Sequence, residues 1–90
     1  MADGAVIVEF FGVPRLRAGR AELAVAPGTA GTVLSEIASR CPGLSDLLTD
    51  DGRLARHYLL SLDGRAFVTD LAAILSPGTR LLLLSADAGG

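Results

Sequence analysis

Alternating apolar and polar residues open the chain and predict a first β-strand over residues 5–11. Neighbouring residues on a strand point to opposite faces, so this strand should have one apolar face and one wetter face. The apolar face holds Val6, Val8 and Phe10. The wetter face carries Glu9 and also Phe11, so two adjacent phenylalanines are expected to point in opposite directions.

A second strand is predicted over residues 21–26, with Leu23 and Val25 on its buried side. Gly12-Val13-Pro14 predicts a break after the first strand, and residues 15–20 are mostly polar and predict a turn. The two strands together are therefore expected to form a hairpin with a longer loop.

Apolar residues at i, i+3 and i+4 spacing predict the main helix, which should start after an N-cap at Thr29 and stop at Pro42-Gly43. Its apolar stripe holds Ala30, Val33, Leu34, Ile37, Ala38 and Cys41. Free cysteine is among the most frequently buried residue types. We therefore expect Cys41 to be a core residue rather than a catalytic thiol.

The second half of the chain predicts three more strands. Asp63-Gly64 is a strong hairpin signal, and His57 is expected in a loop or at a strand entry. The predicted segments are a helical turn around 44–48, strands at 58–62, 66–68 and 80–85, and a connecting turn at 70–75. The order is β-β-α-β-β-β, which predicts one α+β domain over residues 1–86, followed by a flexible tail at 87–90.

One helix can cover only one face of a sheet of about five strands, so the other face should stay partly open. In the last strand, Leu81 and Leu83 are expected to point inward and Leu82 and Leu84 outward. Two interpretations of the outward residues remain: a second small hydrophobic cluster, or an apolar patch that binds a partner.

Composition narrows the possible functions. The chain has 90 residues, half of them apolar, with a net charge of −2 and scattered arginines, which is typical of a globular domain and not of a nucleic-acid-binding one. A single cysteine fits a reducing compartment. Neither a secretory signal nor an apolar run long enough to span a membrane is visible. A soluble, cytoplasmic protein with no nucleic-acid or membrane partner is expected.

The end of the chain is the only segment with a candidate reactive group. There is no phosphate-binding loop, no cluster with metal-ligand spacing and no nucleophile–base set, so a free-standing enzyme and a bound metal or cofactor are not expected. The sequence ends in Gly89-Gly90, a thin and pliable segment. By itself this dipeptide could be a frayed end or a reactive carboxylate on a segment that fits a narrow site.

Several short segments together resemble a known family. In chain order they are Val8-Glu9-Phe10-Phe11-Gly12, Pro27-Gly28-Thr29, Arg40-Cys41-Pro42-Gly43-Leu44, Leu62-Asp63-Gly64, Pro77-Gly78-Thr79 and Gly89-Gly90. By their order and spacing the chain resembles the ubiquitin-like sulfur carriers of the MoaD/ThiS type over nearly its whole length. The resemblance implies a β-grasp fold, with a mixed sheet of about five strands and one main helix on one face.

The resemblance also implies a chemistry and its partners. An E1-like adenylyltransferase would use ATP to adenylate Gly90, with Gly89 keeping the end slim, and a sulfur donor enzyme would convert the adenylate to a thiocarboxylate. A sulfur-accepting biosynthetic enzyme would then receive the sulfur. The partner-binding residues carried over are Phe11, Ala66, Leu82, Leu84, Asp87 and Ala88. Ala66 stands where relatives often carry a larger apolar residue.

One departure from the family lies just before the diglycine. Residues 85–88 replace the Pro-Pro segment of many molybdopterin-type members, so the molybdopterin assignment is less secured than the carrier role. Three alternatives stay open: the small subunit of a molybdopterin synthase, a protein modifier conjugated through Gly90, and a non-covalent binding module.

Overall fold

The computed structural model describes residues 4–86. Within that range no helix is long and apolar enough to cross a membrane. The elements, in chain order, are β1 (Val6–Phe10), α1 (Val13–Ala18), β2 (Glu22–Val25), β3 (Gly28–Thr29), α2 (Ala30–Arg40), a 3₁₀ helix (Pro42–Leu44), β4 (Tyr58–Leu62), β5 (Ala66–Phe67), β6 (Ile74–Leu75) and β7 (Arg80–Ser85).

A five-stranded mixed sheet organises the fold, with the strand order β2-β1-β7-β4-β5. The central strands β1 and β7 are parallel, and the other pairs are antiparallel. The main helix α2 buries its apolar stripe against one face of this sheet. This architecture confirms the predicted α+β class and the β-grasp fold.

Strand and helix periodicity predicted the core correctly. Phe10 and Leu83 are 1% and 0% exposed, and Cys41 is buried beside them in the same cluster. The predicted N-cap is also present, because the Thr29 hydroxyl accepts a hydrogen bond from the Thr32 N–H at 3.1 Å. The predicted hairpin turn follows β4, where Asp63 and Gly64 both have positive φ angles.

The predicted turn at residues 15–20 is wrong, because α1 occupies Val13–Ala18. Pro14 suggested a break in structure, but proline suits the first turn of a helix, where its fixed φ and missing N–H cost nothing. Gly19 then ends the helix in a left-handed conformation, and its N–H donates to the Arg15 carbonyl.

Helix α1 is packed tightly on the 3₁₀ helix at Gly43. A Cβ at this position would lie 2.2 Å from the Arg17 carbonyl oxygen, so only glycine permits the observed approach. The sequence predicted Gly43 as a helix stop only. The structure shows that it also holds α1 against the body of the domain.

The predicted connecting turn at 70–75 contains a strand that the sequence pattern missed. Ile74–Leu75 pairs with Gly28–Thr29 in a separate two-stranded sheet. The same segment satisfies the start of α2, because the Ala73 and Leu71 carbonyls accept the N–H groups of Ala30 and Gly31 at 2.9 Å each. Two residues are too few for an alternating pattern, so this strand is set by tertiary contacts.

Candidate partner-docking face and tail root

The face of the sheet opposite α2 carries apolar side chains across its centre. Strand register aligns Glu9, Leu82, Ser61 and Phe67 in one row on β1, β7, β4 and β5. Ser61 is buried although it lies on this face, because its small side chain stands between the larger Leu82 and Phe67. The row is thus polar at β1, and its larger side chains, Leu82 on β7 and Phe67 on β5, are apolar.

A second row lies closer to the end of β7. Leu84 pairs with Leu59 across β7 and β4. Phe11 follows β1 and stays bonded to β7, because its N–H donates to the Leu83 carbonyl at 3.1 Å. Its side chain is 40% exposed. We call the apolar residues of the two rows the open-face patch, which consists of Phe11, Leu59, Phe67, Leu82 and Leu84.

Charge bounds the patch at the start of β7. Arg80 Nη1 lies 3.3 Å from Glu9 Oε2, so an ion pair between β7 and β1 closes this side. Toward the end of β7 the outward residue is Leu84, which is half-buried. The patch therefore runs in the direction in which the chain leaves the sheet.

The structure brings together three of the predicted partner-binding residues, namely Phe11, Leu82 and Leu84. Ala66 is placed differently: it pairs with Leu62, whose other partner Leu81 points into the core, so register puts Ala66 on the side of the sheet that faces α2. Its neighbour Phe67 occupies the open face instead. The predicted residues Asp87, Ala88, Gly89 and Gly90 lie outside the described residues.

A polar cluster that no local sequence pattern predicts lies beside the end of β7. Arg17 Nη1 donates to Tyr58 Oη at 2.8 Å and to Asp46 Oδ2 at 3.0 Å, and the Tyr58 hydroxyl donates to Asp46 Oδ1 at 2.7 Å. His57 Nε2 lies 3.0 Å from Asp46 Oδ2, and its ring packs on the Tyr58 ring. These four residues come from three separate segments, and no local sequence signal could have joined them.

The cluster shifts the pKa values of three members, and that of Arg17 is raised, chiefly by its hydrogen bond to Tyr58. Partial burial favours the neutral form of Asp46, but hydrogen bonds from Tyr58 and His57 and the charge of Arg17 outweigh it and lower the pKa of this carboxyl. Burial and the hydrogen bond to Asp46 raise the pKa of Tyr58. At neutral pH the cluster therefore holds a charged carboxylate and a neutral phenol.

The cluster also borders the point where β7 ends. The Ala86 N–H donates to the His57 carbonyl at 2.8 Å, and Ser85 pairs with Tyr58. The chain is thus held by backbone hydrogen bonds up to Ala86, beside the cluster. Any group attached after residue 86 starts from a fixed position relative to the open-face patch.

A groove of about 500 Å³ opens beside β4, between the loop 52–56 and the segment 67–71. Leu59 and Phe67 of the open-face patch belong to its lining, together with the side chains of Arg53, Arg56 and Asp70. In the described part of the chain no group of three or more His, Cys, Asp or Glu residues could hold a metal ion.

Comparison with solved structures identifies the architecture. SAMP1 from Haloferax volcanii is 25% identical, with a TM-score of 0.81 over 97% of this chain and 100% of that chain. SAMP1 from Methanosarcina acetivorans is 21% identical, with a TM-score of 0.80 over 97% of both chains. The chain is a ubiquitin-like β-grasp protein. A putative molybdopterin converting factor subunit 1 from Pyrococcus furiosus is 18% identical, with a TM-score of 0.73 over 90% of this chain and 95% of that chain.

These neighbours confirm the resemblance to the MoaD/ThiS-type ubiquitin-like family that the sequence segments indicated. No protein-family model and no curated protein sequence matches the chain. The three-dimensional likeness of this β-grasp protein thus extends over nearly the whole chain at low sequence identity.

Proposed function

We propose that this β-grasp protein is a sulfur carrier whose Gly90 carboxylate is activated by an E1-like adenylyltransferase and converted to a thiocarboxylate. The protein acts as a co-substrate rather than as a catalyst, and a biosynthetic enzyme accepts its sulfur. It binds no cofactor of its own, because the activating partner uses the ATP. We infer a cytoplasmic location, where ATP and that partner are present.

The observation that carries the proposal is the open-face patch and its direction. Exposed apolar surface that is bounded by charge usually marks an interaction site. Phe11 and Leu84 lie at the end of the sheet where β7 leads toward the diglycine, so an enzyme that docks on the patch would also meet the tail. Interactions on the patch would position Gly90 while its slim neighbour Gly89 enters the enzyme's active site.

The proposed chemistry has two balanced steps. A Gly90 carboxylate oxygen attacks the α-phosphorus of ATP, an acyl adenylate forms and pyrophosphate leaves. Hydrosulfide supplied by the donor then attacks the acyl carbon, a C–S bond forms, AMP leaves, and loss of the S–H proton gives the thiocarboxylate. Activation is needed because a free carboxylate is a poor acyl donor.

The direct test is intact-mass spectrometry after incubation with ATP, Mg²⁺, sulfide and each E1-like enzyme of the source organism. Replacement of one oxygen by sulfur at Gly90 should add about 16 Da after covalent activation. The control is a variant that lacks Gly90, which should gain no mass. Absence of the gain with every such enzyme would contradict the proposal.

A second candidate is a protein modifier conjugated through Gly90. It is favoured by the Haloferax neighbour, one structure of which is described as small archaeal modifier protein 1 at 25% identity. The same adenylate would then pass to a lysine of a target. Because this chain has no lysine, it could not form chains of its own copies through side-chain amines.

The two candidates are separated by looking for conjugates in cells. An epitope-tagged protein, compared with the Gly90 deletion, should give higher-mass bands that resist reduction if it is a modifier. A carrier alone gives none, in growth or under stress, while its thiocarboxylate mass is still detected.

A further inference from the structure

Within residues 4–86, helix α1 carries the large apolar side chain with the highest exposed fraction, and the open-face patch does not include it. Leu16 is 82% exposed, and Val13, which lies at i−3 on the same side of the helix, is 43% exposed. The opposite side of α1 faces inward, because Pro14 is buried and Arg17 reaches the polar cluster. Helix α1 therefore packs one side against the domain and exposes apolar side chains of its other side to solvent.

This exposure is not the result of a loose segment. Gly43 allows the α1 backbone to pack closely against the 3₁₀ helix, and Arg17 binds both Asp46 and Tyr58. A side chain presented on such a fixed helix loses little conformational entropy when it binds. Leu16 is thus suited to enter a preformed pocket.

The charges around Leu16 indicate what the pocket should look like. Arg15 and Arg20 flank it in sequence and, within residues 4–86, neither side chain has an ion pair or a hydrogen bond. Helix α1 itself contains no acidic residue. An apolar pocket with a rim of carboxylates complements this surface in shape and charge.

The position of α1 links it to the open-face patch. Its first residue lies two positions after Phe11, and the helix packs against β7, the strand that leads to the tail. We propose that α1 is a second docking element for the activating enzyme, with Leu16 entering an apolar pocket whose rim carries Asp or Glu side chains. This inference rests on the proposed function and extends its binding surface beyond the sheet.

The test compares Leu16→Ser with Ile74→Ser. Ile74 is 74% exposed on β6, outside the patch and α1, so the two changes remove similar exposed apolar groups. Both variants should unfold at the wild-type temperature. In an adenylation assay Leu16→Ser should raise the KM for the carrier about tenfold with kcat unchanged, whereas Ile74→Ser should match the wild type.

The charge requirement is tested with Arg15→Glu and Arg20→Glu. Each should raise the KM several-fold at low ionic strength, and the difference should shrink in 0.5 M salt because exposed charges are then screened. Unchanged KM values for both arginine variants would overturn the acidic rim.

The remaining outcomes separate this inference from the proposed function. If the wild type is adenylated, Phe11→Ser raises the KM and Leu16→Ser does not, the inference is overturned and the carrier function stands. If the wild type is a dimer in sedimentation and Leu16→Ser makes it a monomer, a second copy covers α1 and the inference is also overturned. If no E1-like enzyme adenylates the wild type, both proposals fail.

Discussion

The two faces of the five-stranded sheet use the same residue types for different purposes. Phe10 is 1% exposed on the face covered by α2, while the adjacent Phe11 is 40% exposed on the other. Leu83 and Leu84 repeat the contrast one strand away. One step along a strand thus separates a residue that stabilises the fold from one available for recognition, and neither composition nor hydropathy distinguishes them.

The largest expected effect tests this contrast directly. Leu83→Ala should lower the free energy of unfolding by about 3 kcal/mol, since it leaves a cavity in the core. Leu84→Ala should cost less than about 1 kcal/mol, because its side chain is only half-buried. Urea titration of both variants, with unchanged m-values, measures the difference. Equal losses of unfolding free energy in Leu83→Ala and Leu84→Ala would mean that the open face is a second core.

A second substitution tests whether α1 is packed closely against the side of the domain that α2 covers. Gly43→Ala places a Cβ against the Arg17 carbonyl and should cost about 1–3 kcal/mol, because backbone has to shift. Gly28→Ala is the matched control, since its Cβ would meet only Thr32 at 3.8 Å. Thermal unfolding compares the two. If Gly43→Ala is as stable as the control, α1 is not fixed in the way described.

A third prediction concerns the polar cluster beside the end of β7. The folded-state pKa of Asp46 lies below its ordinary value of 3.8, so its ionisation stabilises the fold above that pH. This contribution is lost as the pH falls through the lowered pKa. Asp46→Asn should therefore be less stable than the wild type at pH 7, by less than about 1 kcal/mol for a half-exposed group, and the gap should close in acid.

The measurement is the free energy of unfolding of both proteins between pH 2 and 7. Asp50→Asn serves as the control, because Asp50 has no hydrogen bond or ion pair to another residue of the described range. Its stability should run parallel to the wild type. If the difference in unfolding free energy between the wild type and Asp46→Asn persists unchanged in acid, the substitution has removed packing rather than charge.

The smallest expected effect lies at the rim of the open face. Phe67→Ser should raise the KM for adenylation about two- to threefold, because Phe67 shares a row with Leu82. Ala66 lies one step along β5, on the opposite side of the sheet. Ala66→Ser should therefore change the KM for adenylation less than Phe67→Ser does. The reverse order would restore Ala66 as a docking residue.

Local patterns predicted the faces of the long elements correctly, because each strand or helix carries its own period. Phe11, Leu82 and Leu84 were placed on the open face by parity alone, and the pairing of β1, β7 and β4 agrees. Ala66 lies on the other side of the sheet. Its assignment came from the family resemblance and not from strand parity, and its role in docking stays a prediction.

Other features depend on contacts between distant segments. Asp46 and Arg17 are 29 positions apart, and nothing near either one signals the bond between them. The same holds for Gly43, whose close approach to Arg17 becomes visible only when α1 is in place. Helix α1 was not predicted, because Pro14 fits a break after a strand as well as the first turn of a helix.

The central position of β7 also sets when the protein becomes recognisable during synthesis. Of the strands in residues 4–86 this one is made last, yet it lies between β1 and β4, which have no direct pairing with each other. Until β7 is translated, one edge of β1 and one edge of β4 stay unpaired, and the surface formed by Leu82 and Leu84 is absent. Long-range pairing of this kind is slow to form. An enzyme that recognises residues on β7 therefore selects chains whose five-stranded sheet is complete and passes over chains that stop before β7.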